Sequence, residues 1–258
     1  MSKQYPIKYL NDNRAMINLG CGFKMNRSWN NVDFSQYAFL AHHTSLSKFL
    51  KRIGILSSER YERLLEVDPQ IVRHDLRKGI PYSVNSFDVV YHSHVLEHID
   101  RDAAASFLKE CYRVLKSGGT MRVVIPDLRI LVENYDSTFE ELMANAKDKI
   151  NIEKHLQSIN EIFDQMVRKL PAGMEQQKGM VKFLERLLRG DAEKSGEIHR
   201  WMYDKYSLAH LLESIGFKDI EQCTDNSSSI IGWNQFNLDL NQDGSPYQPH
   251  SLYMEAVK

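Results

Sequence analysis

The sequence is poor in cysteine and has no long apolar run. Cys21, Cys111 and Cys223 are its only cysteines in 258 residues. Their scattered positions exclude a disulfide framework or a structural zinc knot and favour free thiols in a reducing compartment. No apolar run approaches the roughly 20 residues that span a bilayer, and the first residues lack a signal peptide's apolar core. We therefore expect a cytoplasmic protein without a membrane span.

The chain also has no excess of charge of one sign. The chain has 33 Lys and Arg against 34 Asp and Glu, which leaves a formal net charge of −1. Such a balance supplies no overall field to attract phosphate backbones, so the sequence argues against a nucleic-acid partner. With 42% hydrophobic and 26% charged residues, the composition is that of a folded globular protein. The length allows one large domain, or a core with an accessory unit.

The first half of the chain alternates short apolar runs with amphipathic segments. Helical spacing appears over about 46–66 and 102–115, and Ser117-Gly118-Gly119 is expected to end the second helix. Strands are predicted at 15–19, 31–34, 71–75, 87–91 and 121–125. Strands separated by helices pair in parallel, so the pattern predicts an α/β sheet.

The second half changes character after Pro126. Three helical stripes follow, at 139–143, 152–166 and 181–188. A helix at 203–215 and strands at 217–223 and 251–257 then resume the first pattern, with a polar loop at 226–250 between the strands. We expect a core built from 1–136 and 201–258, and a helical insertion at 137–200 that covers the substrate.

A glycine pair follows the first predicted strand. Gly20-Cys21-Gly22 places backbone without Cβ atoms at the carboxyl end of a central strand, where open α/β sheets bind their ligands. Nicotinamide dinucleotide sites need a third glycine at a position that Met25 occupies here. The motif therefore predicts a ligand site, but not a dinucleotide site.

Acidic residues end the next two predicted strands. Asp33 closes the second strand, where a carboxylate can accept both ribose hydroxyls of an adenosyl group. Asp75 and Leu76 close the third strand; the carboxylate is placed to take an adenine amino group, and the Leu76 backbone to meet a ring nitrogen. Each position is also compatible with ordinary turn chemistry.

These motifs and those that follow occur in one order. The fourth strand, Phe87-Asp-Val-Val-Tyr91, runs into Val95-Leu-Glu-His98, and Glu110 to Gly119 read Glu-Cys-Tyr-Arg-Val-Leu-Lys-Ser-Gly-Gly. Over roughly 15–127 the chain resembles class I S-adenosylmethionine-dependent methyltransferases, in particular the small-molecule type 11 subgroup. The resemblance implies a Rossmann-like seven-stranded sheet of order 3-2-1-4-5-7-6 with an antiparallel last strand. It also implies S-adenosyl-L-methionine as the cofactor.

The resemblance assigns roles to individual residues. Many members have an acidic residue where Asn18 stands, and an amide there still reaches the methionine end of the cofactor through water. His94 and His98 are the candidate general bases, because histidine titrates near neutrality. The expected cofactor-binding residues are Asn18, Gly20, Cys21, Gly22, Asp33, Asp75, Leu76, Ser93 and His94.

Three histidines permit a different interpretation. His92, His94 and His98 resemble the His-x-His-x-Asp-His pattern of metallo-β-lactamase-type hydrolases, but this chain has one residue too many and Glu97 in place of aspartate. That spacing disfavours a shared ion, so we expect no metal site. A metal-dependent hydrolase using these three histidines and a non-catalytic S-adenosylmethionine-binding subunit remain the alternatives to a methyltransferase.

The acceptor is the least determined part of the prediction. Candidate substrate-binding residues are His199, Trp201, Tyr203 and Asn234, which lie before the sixth structural unit and before the last strand. The neutral charge favours a small-molecule, glycan or secondary-metabolite acceptor that is methylated on O, N or C. The sequence does not decide between a monomer and a homodimer.

Overall fold

A computed structural model of the chain describes residues 5–145, 148–165 and 199–258, and a seven-stranded sheet lies at its centre. The order is β3-β2-β1-β4-β5-β7-β6; β7 is antiparallel to both neighbours and the other pairs are parallel. This confirms the predicted fold. The strands are β1 Met16–Leu19, β2 Asn30–Asp33, β3 Val72–Arg73, β4 Phe87–Ser93, β5 Leu115–Pro126, β6 Lys218–Cys223 and β7 Ser251–Val257.

Helices connect most of these strands. No helix in the described part of the chain is both long enough and apolar enough to cross a membrane. The helices are α1 Gln36–His42, α2 Thr44–Arg52, α3 Ser58–Glu66, α4 Arg101–Val114, α5 Leu128–Ala144, α6 Lys149–Gln165 and α7 Lys205–Ile215. Short 3₁₀ helices lie at Leu76–Lys78, Leu96–His98 and Trp233–Phe236.

The helical boundaries differ from the predicted ones in two places. The expected helix at 46–66 is two helices, α2 and α3, because the chain turns at Gly54, whose φ is +74°. The helix α5 runs without interruption from 128 to 144, so the expected domain boundary at 136/137 falls inside it. The third helical stripe, at 181–188, lies outside the described residues.

The strand β5 begins earlier than predicted, directly after α4. Residues 117–119 were expected to end the helix, but they extend the strand instead. The reason is pairing with the last residue of the chain: Gly118 N–H donates to the Lys258 carbonyl, and Lys258 N–H donates to the Gly119 carbonyl, each at 3.0 Å. The Lys258 ammonium also donates to the carbonyls of Tyr112 and Leu115 at the end of α4.

Alternate side chains of the central strands enter two separate cores. On β5, Val123 and Ile125 pack with α4 and α7, whereas Val124 packs on the opposite face. That opposite face is covered by the irregular segment before β7, which contributes Trp233 and Phe236. Because successive side chains of a strand point to opposite faces, one face of the sheet packs against helices and the other against the irregular segment.

A buried charge network holds this irregular segment against the sheet. Arg122 on β5 has no exposed surface and donates to the carboxylates of Asp239 at 2.8 Å and Glu255 at 2.6 Å. Asp239 also accepts hydrogen bonds from Tyr91 at 2.7 Å and from the indole of Trp233 at 2.9 Å. Because an unpaired buried charge is costly, each member of the network needs the others.

We expect Arg122→Met to lower the free energy of unfolding by about 3–5 kcal/mol, since it leaves two buried carboxylates without their cation. Arg129→Met is the matched control. Arg129 pairs with Glu133 on α5 with 71% of its side chain exposed, and an exposed pair contributes less than about 1 kcal/mol. Chemical denaturation of both variants measures the difference, and equal losses would contradict the assignment.

His92 on β4 is a buried imidazole without a hydrogen-bond partner among the described residues. Its ring packs edge-on against Phe107 of α4, with 5.3 Å between the ring centroids. Burial lowers the pKa of His92 to about 4, although the negative charge of Glu97 opposes this shift. The ring is therefore neutral in the folded protein at neutral pH.

This shift predicts a pH dependence of stability. Between about pH 6.5 and 4 the unfolded chain binds a proton at His92 that the folded chain does not bind, so stability falls as the pH falls. The loss from this group is on the order of 3 kcal/mol. In His92→Leu that part of the acid sensitivity should be absent, whereas His210→Leu, at an exposed site on α7, should keep it. Denaturation series at pH 7 and pH 4 test this.

Candidate active site

A cavity of about 380 Å³ lies where β1, β2 and β4 end. β1 pairs with β2 on one side and β4 on the other, so the crevice forms where the strand order reverses, the usual ligand site of an open α/β sheet. Its volume is in the range of small-molecule pockets, about 300–1,000 Å³. Six of the predicted site residues line it: Gly20, Asp33, Asp75, Leu76, His94 and His98.

The glycine loop lies close to the start of the chain segment that follows β4. Gly20 has φ of +65°, and a Cβ atom at this position would collide with Cγ2 of Val95. The loop is held to β2, because Gly20 N–H donates to the Val32 carbonyl at 2.8 Å. A side chain at Gly20 is therefore excluded both by backbone conformation and by space.

Three of the predicted cofactor residues shape this loop and do not line the cavity. The side-chain amide of Asn18 donates to the Lys24 carbonyl at 3.0 Å, and Gly22 N–H donates to the Asp33 carboxylate at 2.8 Å. Cys21 is buried among side chains from α1 and α3, and this burial raises the pKa of its thiol. Their direct contact with a cofactor stays a prediction.

The Asp33 carboxylate faces the cavity from the end of β2. One oxygen accepts the Gly22 N–H, and the other accepts the Ser35 N–H at 2.6 Å. Each carboxylate oxygen can accept two hydrogen bonds, so each keeps one acceptor position. The side chain is thus fixed by the backbone and still suited to a vicinal diol such as a ribose.

Asp75 lies in the cavity wall but has a partner that the sequence did not indicate. Arg77 donates to both of its carboxylate oxygens, at 2.8 and 3.0 Å, and this pairing holds the pKa of Asp75 below its usual value. Leu76, which begins the following 3₁₀ helix, also lines the cavity. Asp75 therefore presents an ionised carboxylate whose orientation is set by Arg77.

The helices between β2 and β3 form the rest of this cavity. Tyr37 and Leu40 of α1, Leu56 and Arg60 line it. The helix α1 is not predicted by the sequence pattern, because its seven residues give too short a window for helical periodicity to appear. A local signal existed in Ser35, whose side chain accepts the Ala38 N–H as an N-cap.

A second cavity, of about 450 Å³, begins on the other side of His94. Its wall includes Pro126, three residues of α6 and three that precede β7. Those six are Glu161, Asp164, Gln165, Gln248, Pro249 and His250. His94 lines both cavities, so its imidazole lies at the boundary between them.

The backbone of His94 adopts an uncommon conformation, with φ of +53°. Its Nε2 lies 2.9 Å from the Ser251 hydroxyl, and its Nδ1 lies 3.2 Å from a carboxylate oxygen of Glu97. Ser93, the preceding residue, ends β4 and lines neither cavity. The strained backbone turns one imidazole away from the strand and into the boundary.

Glu97 is buried beneath this boundary, with 1% of its surface exposed. Burial raises the pKa of its carboxyl group, but the His94 and His98 rings beside it lower that pKa by more. The net pKa of Glu97 therefore lies below the usual value. The Glu97 carbonyl accepts the N–H groups of Arg200 at 2.6 Å and Trp201 at 3.2 Å. Glu97 thus joins the end of β4 to the segment that precedes α7.

The metal-binding side chains that the fold brings together are not the three histidines suggested by the sequence. His92 lies in the core beside α4, apart from the cavities. Within the described ranges, the group whose ligand atoms lie close enough to share an ion is Glu97, His98 and His199, all within 4.8 Å of one another. The trio His92, His94 and His98 is therefore not the cluster that the fold assembles.

The expected substrate residues are dispersed. His199 lines the second cavity, but Trp201 packs under the Arg101 guanidinium, 4.2 Å from the ring centroid. Tyr203 is buried in the core, and the side-chain amide of Asn234 donates to the Asn226 carbonyl on the covered face of the sheet. Trp201, Tyr203 and Asn234 line neither cavity, and their role in substrate binding stays a prediction.

Comparison with known proteins agrees with this geometry. Residues 18–123 match the sequence profile of a methyltransferase domain family, type 11, and no curated protein sequence matches the chain. Among solved structures, an S-adenosylmethionine-dependent methyltransferase from Archaeoglobus fulgidus is 14% identical, with a TM-score of 0.39 over 95% of this chain and 86% of that one.

A second solved structure is similar at the same level. It is the 1,6-didemethyltoxoflavin-N1-methyltransferase from Burkholderia thailandensis, with 1,6-didemethyltoxoflavin and S-adenosylhomocysteine bound; it is 13% identical, with a TM-score of 0.40 over 95% of this chain and 71% of that one. The profile match spans β1 to β5 and includes the glycine loop, Asp33, Asp75 and His94. Residues 18–123 are therefore an S-adenosylmethionine-dependent methyltransferase domain of type 11.

Proposed function

We propose that the chain methylates a small polar molecule, or the terminal sugar of a glycan, bound in the second cavity. The observation that carries this proposal is the position of His94, which lines both the cavity at the strand ends and the one beyond it. A methyl group delivered from the first cavity to the second passes this imidazole. An O, N or C nucleophile of the acceptor is methylated by in-line displacement.

The residues of the first cavity fit the cofactor. Asp33 keeps acceptor positions for the ribose hydroxyls, and Gly20 lines the same cavity. Asp75 and Leu76 line the part that would receive the adenine. When bound, S-adenosylmethionine supplies an activated methyl group on a sulfonium, so the protein mainly has to align the acceptor and exclude water.

The second cavity suits a small acceptor that carries hydroxyl or amino groups. Its wall carries two carboxylates, those of Glu161 and Asp164, and the side-chain amides of Gln165 and Gln248. Such side chains hydrogen-bond to hydroxyls and amines. A volume of about 450 Å³ holds a small molecule or one sugar unit, not a folded macromolecule.

His94 is the general base that this geometry favours. The Glu97 carboxylate lies 3.2 Å from His94 Nδ1, and this nearby negative charge favours a proton on Nδ1 and a lone pair on Nε2. Nε2 lies 2.9 Å from the hydroxyl of Ser251, which directly follows His250 in the wall of the second cavity. An acceptor hydroxyl or ammonium that takes the place of this contact gives its proton to Nε2. His98, which lines the cofactor cavity, is the second candidate base.

Removal of the Asp33 carboxylate should weaken cofactor binding. In calorimetric titrations with S-adenosylhomocysteine, we expect Asp33→Ala to lose roughly tenfold to a hundredfold in affinity, because hydrogen bonds to a charged group contribute about 1.5–3 kcal/mol. Asp243→Ala, at an exposed turn, is the matched control and should bind like the unaltered chain. Absence of binding by the unaltered chain, or equal affinities of all three, would contradict the proposed site.

Transfer of labelled methyl groups tests the acceptor class. The chain is incubated with methyl-labelled S-adenosylmethionine and a cell extract, and the label should enter the low-molecular-mass or polysaccharide fraction. His94→Ala should reduce incorporation by about 10²–10⁴-fold, the usual contribution of a general base, while it retains affinity for S-adenosylhomocysteine. Label in protein or RNA would overturn the acceptor class, and binding without any transfer would favour a non-catalytic cofactor-binding subunit.

A further inference from the structure

Three side chains with metal-binding atoms meet at the boundary of the two cavities. Glu97 and His98 belong to the 3₁₀ helix after β4, whereas His199 comes from a segment about 100 residues later. Their ligand atoms lie within 4.8 Å of one another. The two segments are already joined, because Arg200 and Trp201 donate their N–H groups to the Glu97 carbonyl.

The Glu97 carboxylate is poorly satisfied by its protein neighbours. It is almost completely buried, and neither of its oxygens accepts a hydrogen bond of good geometry from the residues that the structure describes. The nearest ring nitrogens are His94 Nδ1 at 3.2 Å and His98 Nε2 at 3.9 Å. A buried anionic group in this state is unusual in native proteins and points to an ion as its missing partner.

The tautomer of His199 is suited to metal binding. Its Nδ1 lies 2.8 Å from the Gln165 carbonyl, and a carbonyl only accepts, so Nδ1 must carry the proton. Nε2 then keeps its lone pair. Metal-binding histidines commonly donate their second N–H to a backbone carbonyl in this way, which fixes both tautomer and ring orientation. The His98 and His199 rings lie edge to face, 4.7 Å apart.

We propose that Glu97, His98 and His199 bind a divalent transition-metal ion. Two imidazoles and one carboxylate are the ligand set of Zn²⁺ and of Mn²⁺, Fe²⁺, Co²⁺ or Ni²⁺, whereas Mg²⁺ and Ca²⁺ prefer oxygen ligands alone. With neutral imidazoles, the single carboxylate leaves the bound ion with a net charge of +1. Three protein ligands also leave at least one coordination position for a further molecule.

Two of the three proposed ligands line the two cavities. His98 lines the cofactor cavity and His199 lines the second cavity, so the ion would lie between them. This role rests on the proposed function. An acceptor hydroxyl bound to the ion would be more acidic, and His94, which lines both cavities, would be the nearby base for its proton. The hydroxyl oxygen would take the methyl group, and the C–S bond electrons would return to sulfur to give neutral S-adenosylhomocysteine.

Metal titration tests the site without any acceptor. The full chain, stripped with a chelator and dialysed, is titrated with Zn²⁺ alone and with Co²⁺ alone. We expect one ion per chain, a raised melting temperature with Zn²⁺ and visible absorption bands with Co²⁺. Loss of a direct ligand in His199→Ala should weaken binding by more than about 100-fold. His210→Ala, at an exposed site on α7, is the matched control and should bind like the unaltered chain.

Glu97→Gln keeps the size of the side chain, removes its charge and should also lose the ion. If this variant does not fold, His199→Ala decides. No ion in the unaltered chain, or equal binding by His199→Ala, would overturn the site, while binding of S-adenosylhomocysteine would still support the proposed function. An ion that binds as expected but whose removal leaves methyl transfer unchanged would overturn its role with the acceptor.

Discussion

The buried carboxylate of Glu97 is the constraint on which the functional end of the molecule depends. A buried carboxylate is costly unless it is compensated, and its nearest ring nitrogens are those of His94 and His98 from the same short segment. The backbone of Glu97 meanwhile holds residues 200 and 201. One residue therefore orients the candidate base, brings His199 to the boundary of the cavities and connects the two parts of the chain that build them.

The sheet face that carries Trp233 and Phe236 depends on a second buried charge, that of Arg122. Its contacts with Asp239 and with the carbonyls of Thr224 and Ser227 hold the largely irregular segment between β6 and β7 in place. That segment ends at Gln248 to His250, which line the second cavity, and the His250 carbonyl accepts the Asp127 N–H. A structural network on one face of the sheet thus positions part of the wall of the second cavity.

The parts of the site that the sequence predicted are local. Gly20, Asp33, Asp75, Leu76 and His94 all lie near the carboxyl end of a predicted strand, and parallel strands bring these ends to one edge of the sheet. The parts that it missed depend on contacts between distant segments. Arg77 turns back onto Asp75, α1 closes over the cavity, and His199 joins Glu97 across about 100 residues.

By itself, the sequence predicted an α/β sheet and the edge at which the first cavity lies, and its short motifs carried the family resemblance that implied the strand order, because periodicity and motifs are properties of neighbouring residues. Tertiary structure alone decided which histidines share a site. His92 and His94 are two positions apart, so in a continuous strand both side chains would point to the same face. The positive φ of His94 ends the strand, and its side chain points to Ser251, whereas that of His92 packs against Phe107. His92 packs into the core, and His98 faces His199 instead, because packing and backbone pairing bring distant segments together.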